Sequence, residues 1–280
     1  MLAGRTLRWF VVFVFGVLLW TPACTPASSP ALTPSVQLAG ELTFAGSTTV
    51  QPLAAEIGKA FNALYPDVTL DIAAGGSEVG IQAVHEGTVD LGMASRALAP
   101  EEAEGIAVHR IAVDVIAVVV HADNQVEGLT MEQLKAIYLG EITSWHEVGG
   151  AETPIHVVVR DINSGTRGAF DQIVLQGAEP TVPHLQKALT AGDVAALVQE
   201  DPYAVGYVGF GHLEPGLKAL EIDGVAPSAE TARDGSYEIT RPLQLMTGPL
   251  SQPLAETFVE FALSEAGQQV VVESGWVPAK

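Results

Sequence analysis

Two rhythms of apolar and polar positions take turns along most of this chain. Runs at 41–45, 68–73, 89–94, 111–120, 155–160, 205–210 and 239–246 read as strands. Between most of them the period lengthens to that of a helix. The segment 50–65 places Leu53, Ile57, Ala60, Phe61 and Leu64 on one face, with Pro52 tolerated in the first turn. A short helix is predicted over 80–86, stopped by Gly87. Another runs over 130–138, opened by the capping box of Thr130 and Gln133 and ended at Gly140. A third, over 166–176, buries Phe170, Ile173 and Val174 and stops at Gly177. Two more fit 183–199 and 251–272. Strands alternating with helices predict an α/β protein with largely parallel sheets, in which ligands bind beyond the carboxyl ends of the strands.

Ser47-Thr48-Thr49, Gly75-Gly76-Ser77 and Ser164-Gly165-Thr166 lie at that edge, between a predicted strand and a predicted helix. Hydroxyls and glycines there leave backbone N–H groups free to point at one ligand, and the helix dipole favours an anion. Any one of them is explained as an ordinary cap. Together, with Arg96 and Arg160 beside two further strand ends, they outline an oxyanion cage. Arg160 supplies a planar fork suited to a tetrahedral anion. The members fall at 46–49, 75–77, 95–96 and 160–166, which predicts two lobes closing on a cleft. The run 111–121 is long enough to cross from one lobe to the other, and the run around Arg241-Pro242-Leu243 to cross back.

Composition changes the picture mainly at the N-terminus. Arg5 and Arg8 precede an apolar run from Trp9 to Trp20 and then Thr21-Pro22-Ala23-Cys24, the layout of a secretory signal peptide. The run is short for a transmembrane helix. Cys24 is the sole cysteine of the 280 residues, so no internal disulfide forms. Residues 25–39 are uncharged and rich in Pro, Ser, Thr and Ala, as suits a tether. The formal charge of −20, more negative still once 1–23 are removed, argues against nucleic acid and anionic membrane surfaces as partners. It does not exclude an anion in a buried cage, because salt screens distant charge within about 10 Å.

Catalytic and cofactor motifs find no support. The stretch from Gly75 to Gly80 fails as a nucleophile elbow, since Val79 stands where that motif needs glycine. There is no GxGxxG, no GxxxxGK[ST] and no HExxH, and one cysteine builds no zinc site. No cofactor and no enzyme activity are expected.

The segments AGSTTVQPLA (45–54), GGSEVGIQAV (75–84), VDLGMASR (89–96), LTMEQLKAIYLGEITSW (129–145), RDINSGTRGAF (160–170), GYVGF (206–210) and TRPLQL (240–245) together resemble the phosphate-binding proteins of bacterial ABC phosphate importers, a family of type II periplasmic binding proteins. The resemblance covers residues 40–280. It implies a two-lobe, hinge-closing receptor, with 40–115 and 239–280 in lobe I and 116–238 in lobe II. It also implies an extracytoplasmic, monomeric protein that hands inorganic phosphate to permease and ATPase subunits. Carried over by position, Ser47, Thr48, Thr49, Ser77, Ser95 and Arg96 would bind phosphate from one lobe. Arg160, Ser164, Gly165 and Thr166 would bind it from the other. Cys24 stands where bacterial lipoproteins carry their lipid, although Thr21 replaces the usual leucine; the alternative is an inert thiol on a secreted protein. Two departures bear on selectivity: no aspartate stands near Arg96 to accept a phosphate proton, and Ile162 replaces an acidic residue. Sulfate, molybdate or tungstate therefore remain alternative ligands, and a stand-alone phosphate scavenger or sensor an alternative role. Arg96 has two expected orientations, inward to the anion or outward to Glu101 or Glu102.

Overall fold

The computed structural model describes residues 38–182 and 185–279, all within the unit Gln37–Lys280. The predicted leader, Cys24 and the tether as far as residue 37 lie outside the described residues. In chain order, β1 (Ala39–Gly46), α1 (Val50–Leu64), β2 (Asp67–Ala74), α2 (Ser77–Glu86) and β3 (Leu91–Ala94) lead to the 15-residue strand β4 (Ala107–His121). Then follow β5 (Gly128–Leu129), α3 (Met131–Tyr138), β6 (His156–Arg160), α4 (Gly165–Ile173), β7 (Leu185–Ala188), α5 (Ala191–Glu200) and β8 (Ala204–Gly209). A 3-10 turn, Phe210–His212, leads to β9 (Leu217–Ala219), β10 (Glu221–Ile222) and α6 (Ala229–Arg233). The chain closes with β11 (Thr240–Thr247), α7 (Pro253–Leu263), α8 (Glu265–Glu273) and β12 (Val277–Pro278).

Hydrogen-bonded neighbours run β2-β1-β3-β11-β4-β8-β6-β7, with β9 and β12 also on β4. β1 is parallel to β2 and β3, and β6 to β7 and β8. β4 and β11 are antiparallel to each other, and β4 also to β8 and β11 to β3. The sheet is thus mixed, because its two middle strands serve both ends of it.

Side-chain packing shows how. Ile111 and Ala112 of β4 pack in one core with Phe44, Phe61 and Phe258, whereas Ile116, Val118 and Val120 pack in another with Trp145, Phe170 and Tyr207. β11 makes the return passage, from Ile239, the residue before it, in the second core to Leu243 and Leu245 in the first. Two lobes joined by two strands result. Ala117 and Val119 point the other way, onto Val194 and Val198 of α5. Covered on both faces, this half of β4 reads in sequence as one apolar run.

Three predicted helices have different limits. The helix expected over 183–199 gives way at its start to β7, which pairs in parallel with β6. Thr190 resets the helix start by a capping box with Asp193, which the apolar spacing alone does not reveal. The helix expected over 251–272 breaks at Ser264, whose hydroxyl accepts from the Gly267 N–H to open α8. α2 begins three residues early, so Ser77 is its first residue and not a preceding turn.

Candidate anion-binding site

The carboxyl ends of β1, β2, β3 and β6 converge on the cleft between the lobes. Gly46, the last residue of β1, accepts at its carbonyl from the N–H groups of Gly75 (2.8 Å) and Gly76 (2.9 Å), which sets the start of α2 beside the Ser47 turn. Ser47 Oγ accepts from the N–H groups of Thr49 (3.2 Å) and Val50 (3.3 Å) at the start of α1. Ser77 Oγ accepts from Ser95 N–H at 3.0 Å, joining the ends of β2 and β3. Ser164 caps α4 by accepting from Arg167 N–H at 3.3 Å, and Gly165 and Thr166 form the first turn. The first amides of these helices lack partners within the helix, and some are engaged from outside it: Val50 N–H by Ser47 Oγ, Arg167 N–H by Ser164 Oγ, and Glu78 N–H by Asn163 O at 3.3 Å.

The lobes meet here. Thr49 Oγ1 lies 3.2 Å from Thr166 Oγ1, and Arg160 donates from Nη2 to Thr48 Oγ1 at 3.2 Å. A methyl group on Gly165 would stand 2.1 Å from Ser77 Oγ and 2.8 Å from Ser95 Oγ; one on Gly76, whose φ is +100°, would stand 2.6 Å from Asn163 O. Glycine at these two places is what lets the backbones approach. Thr48 is half-buried, while Ser47, Thr49, Ser77, Ser95, Arg160, Ser164, Gly165 and Thr166 are buried.

The sequence left one half of the cage electrostatics unseen. Arg160 is 2% exposed and its Nε is buried without a hydrogen-bond partner. Burial, and then the nearby Arg241, pull its guanidinium down to about 10. Arg241 of β11 donates to Asp114 Oδ2 from Nε (2.9 Å) and Nη2 (2.6 Å), to Thr49 Oγ1 (3.3 Å), and to Ser95 O (3.2 Å) and Oγ (3.4 Å). Burial pushes the Asp114 carboxyl up and the Arg241 guanidinium down, and their attraction opposes both. Asp114 also accepts from Phe210 N–H at 3.0 Å. His212, two residues on, has a buried Nδ1 without a partner; burial and then the charges of Arg241 and Arg160 pull it down to about 4. Asp114 sits inside an apolar strand run, and Arg241, although it belongs to the TRPLQL segment, lies in a strand and not at a helix start, so the sequence marks neither as a site residue.

Arg96 takes the outward of its two expected orientations, so the structure does not bring it into the cage. Its guanidinium donates to both oxygens of Glu102 (2.7 Å each) and to Glu78. Its stem packs on Gly168 of α4. Together with Arg241 it lines a cavity of about 540 Å³ beside the cage. Ile162, in the Arg160–Ser164 turn, is 66% exposed. Trp145 is a core side chain, donating from Nε1 to Tyr203 O at 2.9 Å.

The chemical meaning lies in which way the hydroxyls face. Ser47, Thr48, Thr49, Ser77, Ser95 and Ser164 each accept from an amide or guanidinium N–H, a group that cannot accept in return. Each hydroxyl hydrogen is thereby left to donate elsewhere. A cage of oriented donors beside an incompletely bonded arginine is built for an acceptor-rich anion. Among the described residues no group of three His, Cys, Asp or Glu is placed to hold a metal, and no helix is long and apolar enough to cross a membrane.

Two lobes, two crossing strands and a polar cleft define a binding-protein architecture, and residues 31–266 match the model of the PBP superfamily domain. The phosphate-binding protein PstS of Bacillus subtilis is 34% identical over 247 residues, covering 86% of this chain and 81% of that protein. A Clostridium perfringens protein described as a phosphate ABC transporter substrate-binding protein, solved with bound phosphate, superposes with a TM-score of 0.84 at 37% identity, covering 86% of this chain and all of that one (100%). An ABC-type phosphate transport receptor from Vibrio cholerae gives 0.72 at 29% identity, covering 85% and 100%. The chain belongs to this family of phosphate-binding proteins within the PBP superfamily.

Proposed function

We propose that the protein captures inorganic phosphate outside the cytoplasm and delivers it to the permease and ATPase subunits of an ABC importer, without catalytic turnover. The observation that carries this reading is the set of cleft hydroxyls that accept from amide and guanidinium groups, which leaves their hydrogens to donate, together with the buried, unpartnered Nε of Arg160. The phosphate site then comprises Ser47, Thr48, Thr49, Ser77, Ser95, Arg160, Ser164, Gly165 and Thr166, drawn from both lobes. Arg96 is not among them, since two carboxylates already hold its guanidinium. One anion bridging the two lobes needs one chain, so the receptor acts as a monomer. Calorimetric titration with phosphate, sulfate and molybdate tests the reading. Phosphate should bind at micromolar affinity or better, about −8 kcal/mol, because charge-assisted donors act in a dry cleft. No heat and no thermal shift at millimolar phosphate defeats it, and tighter binding of sulfate or molybdate reassigns the ligand.

Cys24 is proposed as the lipid-bearing N-terminus of the mature protein, with more than one acyl chain to make anchoring stable. Cell fractionation should find the Cys24→Ser protein released from the membrane. Equal membrane retention of the variant would point to another anchor.

A further inference from the structure

Arg241 and Asp114 face each other in the β4–β11 register, with side chains 1% and 0% exposed. They stand where both connecting strands change lobes: between Ala112 and Val115 on β4, and between Ile239, just before β11, and Leu243 within it. A buried ion pair at that point is costly in desolvation, and apolar residues there would serve stability as well. The arginine's hydrogen bonds supply a different reason for it.

A guanidinium carries five N–H hydrogens and no acceptor. Those of Arg241 are matched by five contacts: two to Asp114 Oδ2, one to Thr49 Oγ1, and one each to Ser95 O and Oγ. Nothing is left over for a ligand. Arg160 differs, with its Nε buried and unpartnered. The two arginines therefore divide the work. Arg241 donates into Thr49 and Ser95, and a hydroxyl that accepts there must turn its single hydrogen to another acceptor. From Thr49 that acceptor is the anion or Thr166 Oγ1 at 3.2 Å, whose own hydrogen is then passed on toward the cleft. From Ser95 it is the anion or Ser77 Oγ at 3.5 Å, a hydroxyl that already accepts from the Ser95 amide.

We infer that Arg241, aligned by Asp114, is a positioning residue that fixes the cage hydroxyls as donors to the anion without touching it. The inference rests on the phosphate reading above. The arrangement also needs glycine at the end of β8, because a methyl group on Gly209 would stand 2.5 Å from Asp114 Oδ2 and 3.0 Å from both Arg241 Nη2 and Thr49 Cγ2.

A double-mutant cycle in phosphate affinity tests it, with Arg241→Lys, Thr49→Val and the double variant measured by calorimetry on the mature protein. Lysine keeps the charge beside Asp114 and loses the fork that reaches Thr49 and Ser95. Each single change should weaken phosphate binding about tenfold, the worth of one oriented hydrogen bond to a charged ligand. The double variant should fall no more than about threefold below the weaker-binding single, since the oriented donation from Thr49 is lost in both and is counted once. Losses that multiply, or an Arg241→Lys protein within about threefold of wild type, overturn the inference while leaving the phosphate reading intact. A wild type that fails to bind phosphate overturns the phosphate reading itself, and the inference with it. Should Arg241→Lys not fold, Asp114→Asn, which keeps the shape and loosens the grip on Arg241, enters the cycle under the same criteria.

Discussion

Three arginines near the cleft carry the same charge and differ in what holds them. Arg160 has no carboxylate against its guanidinium, Arg241 has one and Arg96 has two. Charge free to meet a ligand decreases in that order. Arg160→Ala should weaken phosphate binding by about 2–5 kcal/mol, the usual cost of removing one partner from a buried, hydrogen-bonded charge pair. Arg96→Ala should leave calorimetric affinity within about threefold of wild type and lower the melting temperature slightly, because its ion pairs brace α2 against the loop at Glu102. A loss at Arg96 as large as that at Arg160 would put Arg96 back among the ligands. The hydroxyls at 47–49, 77, 164 and 166, and Arg160, were legible as candidates because they lie at junctions between two periodicities, whereas Ser95 is named through the family resemblance. Arg96 was legible as a neighbour of the cage, and Glu102 as one of its two outward partners, but the choice between inward and outward was not, since the second carboxylate that holds it, Glu78, lies eighteen residues away and meets it only once α2 and β3 are packed. Asp114 and Arg241 were illegible as site residues. A lone charge in an apolar run looks the same whether it pairs, binds or faces solvent.

At the scale of elements, the cage depends on helix starts being brought tip to tip. Gly165 has ordinary helical backbone, so alanine there should be neutral or mildly favourable to α4 itself. Its methyl group would collide with Ser77 and Ser95 of the other lobe. Gly165→Ala is therefore expected to melt within a few degrees of wild type and to bind phosphate at least about tenfold more weakly, as closure is blocked. A marked loss of stability without loss of binding would mean that the glycine serves the helix. The element boundaries that sequence missed have one cause. Apolar spacing continues unbroken through Leu185–Ala188 into α5 and through Ser264 into α8, while the chain is redirected by single side-chain-to-backbone bonds at Thr190 and Ser264. Those bonds compete with periodicity and win locally.

For the whole molecule, folding gathers Arg160, Arg241 and His212 close together in the interior of a strongly acidic protein. His212 records the result. In the folded state its proton is lost near pH 4, against about 6.5 when unfolded. Between those values the unfolded chain binds a proton that the folded one refuses. The stabilisation is therefore complete above about pH 6.5, erodes as pH falls, and is gone near pH 4, a loss of up to about 3 kcal/mol. Thermal melts from pH 7 to pH 4 should fall less steeply for His212→Gln than for wild type, and parallel curves would show that the imidazole is not the group responsible. Phosphate shifts the same melts upward by mass action, by about 4 kcal/mol at a thousandfold excess over its dissociation constant.

The turn between Arg160 and Ser164 offers a use outside transport. Ile162 holds its side chain two-thirds in solvent at the lip of the cleft, and Cys24 is the chain's one native thiol. With Cys24→Ser and Ile162→Cys together, an environment-sensitive dye would have a single point of attachment. It would sit beside Arg160, the arginine proposed to meet the anion, but on none of the proposed ligand residues. The receptor would then become an optical gauge, its emission following the dye's surroundings as the lobes close on phosphate.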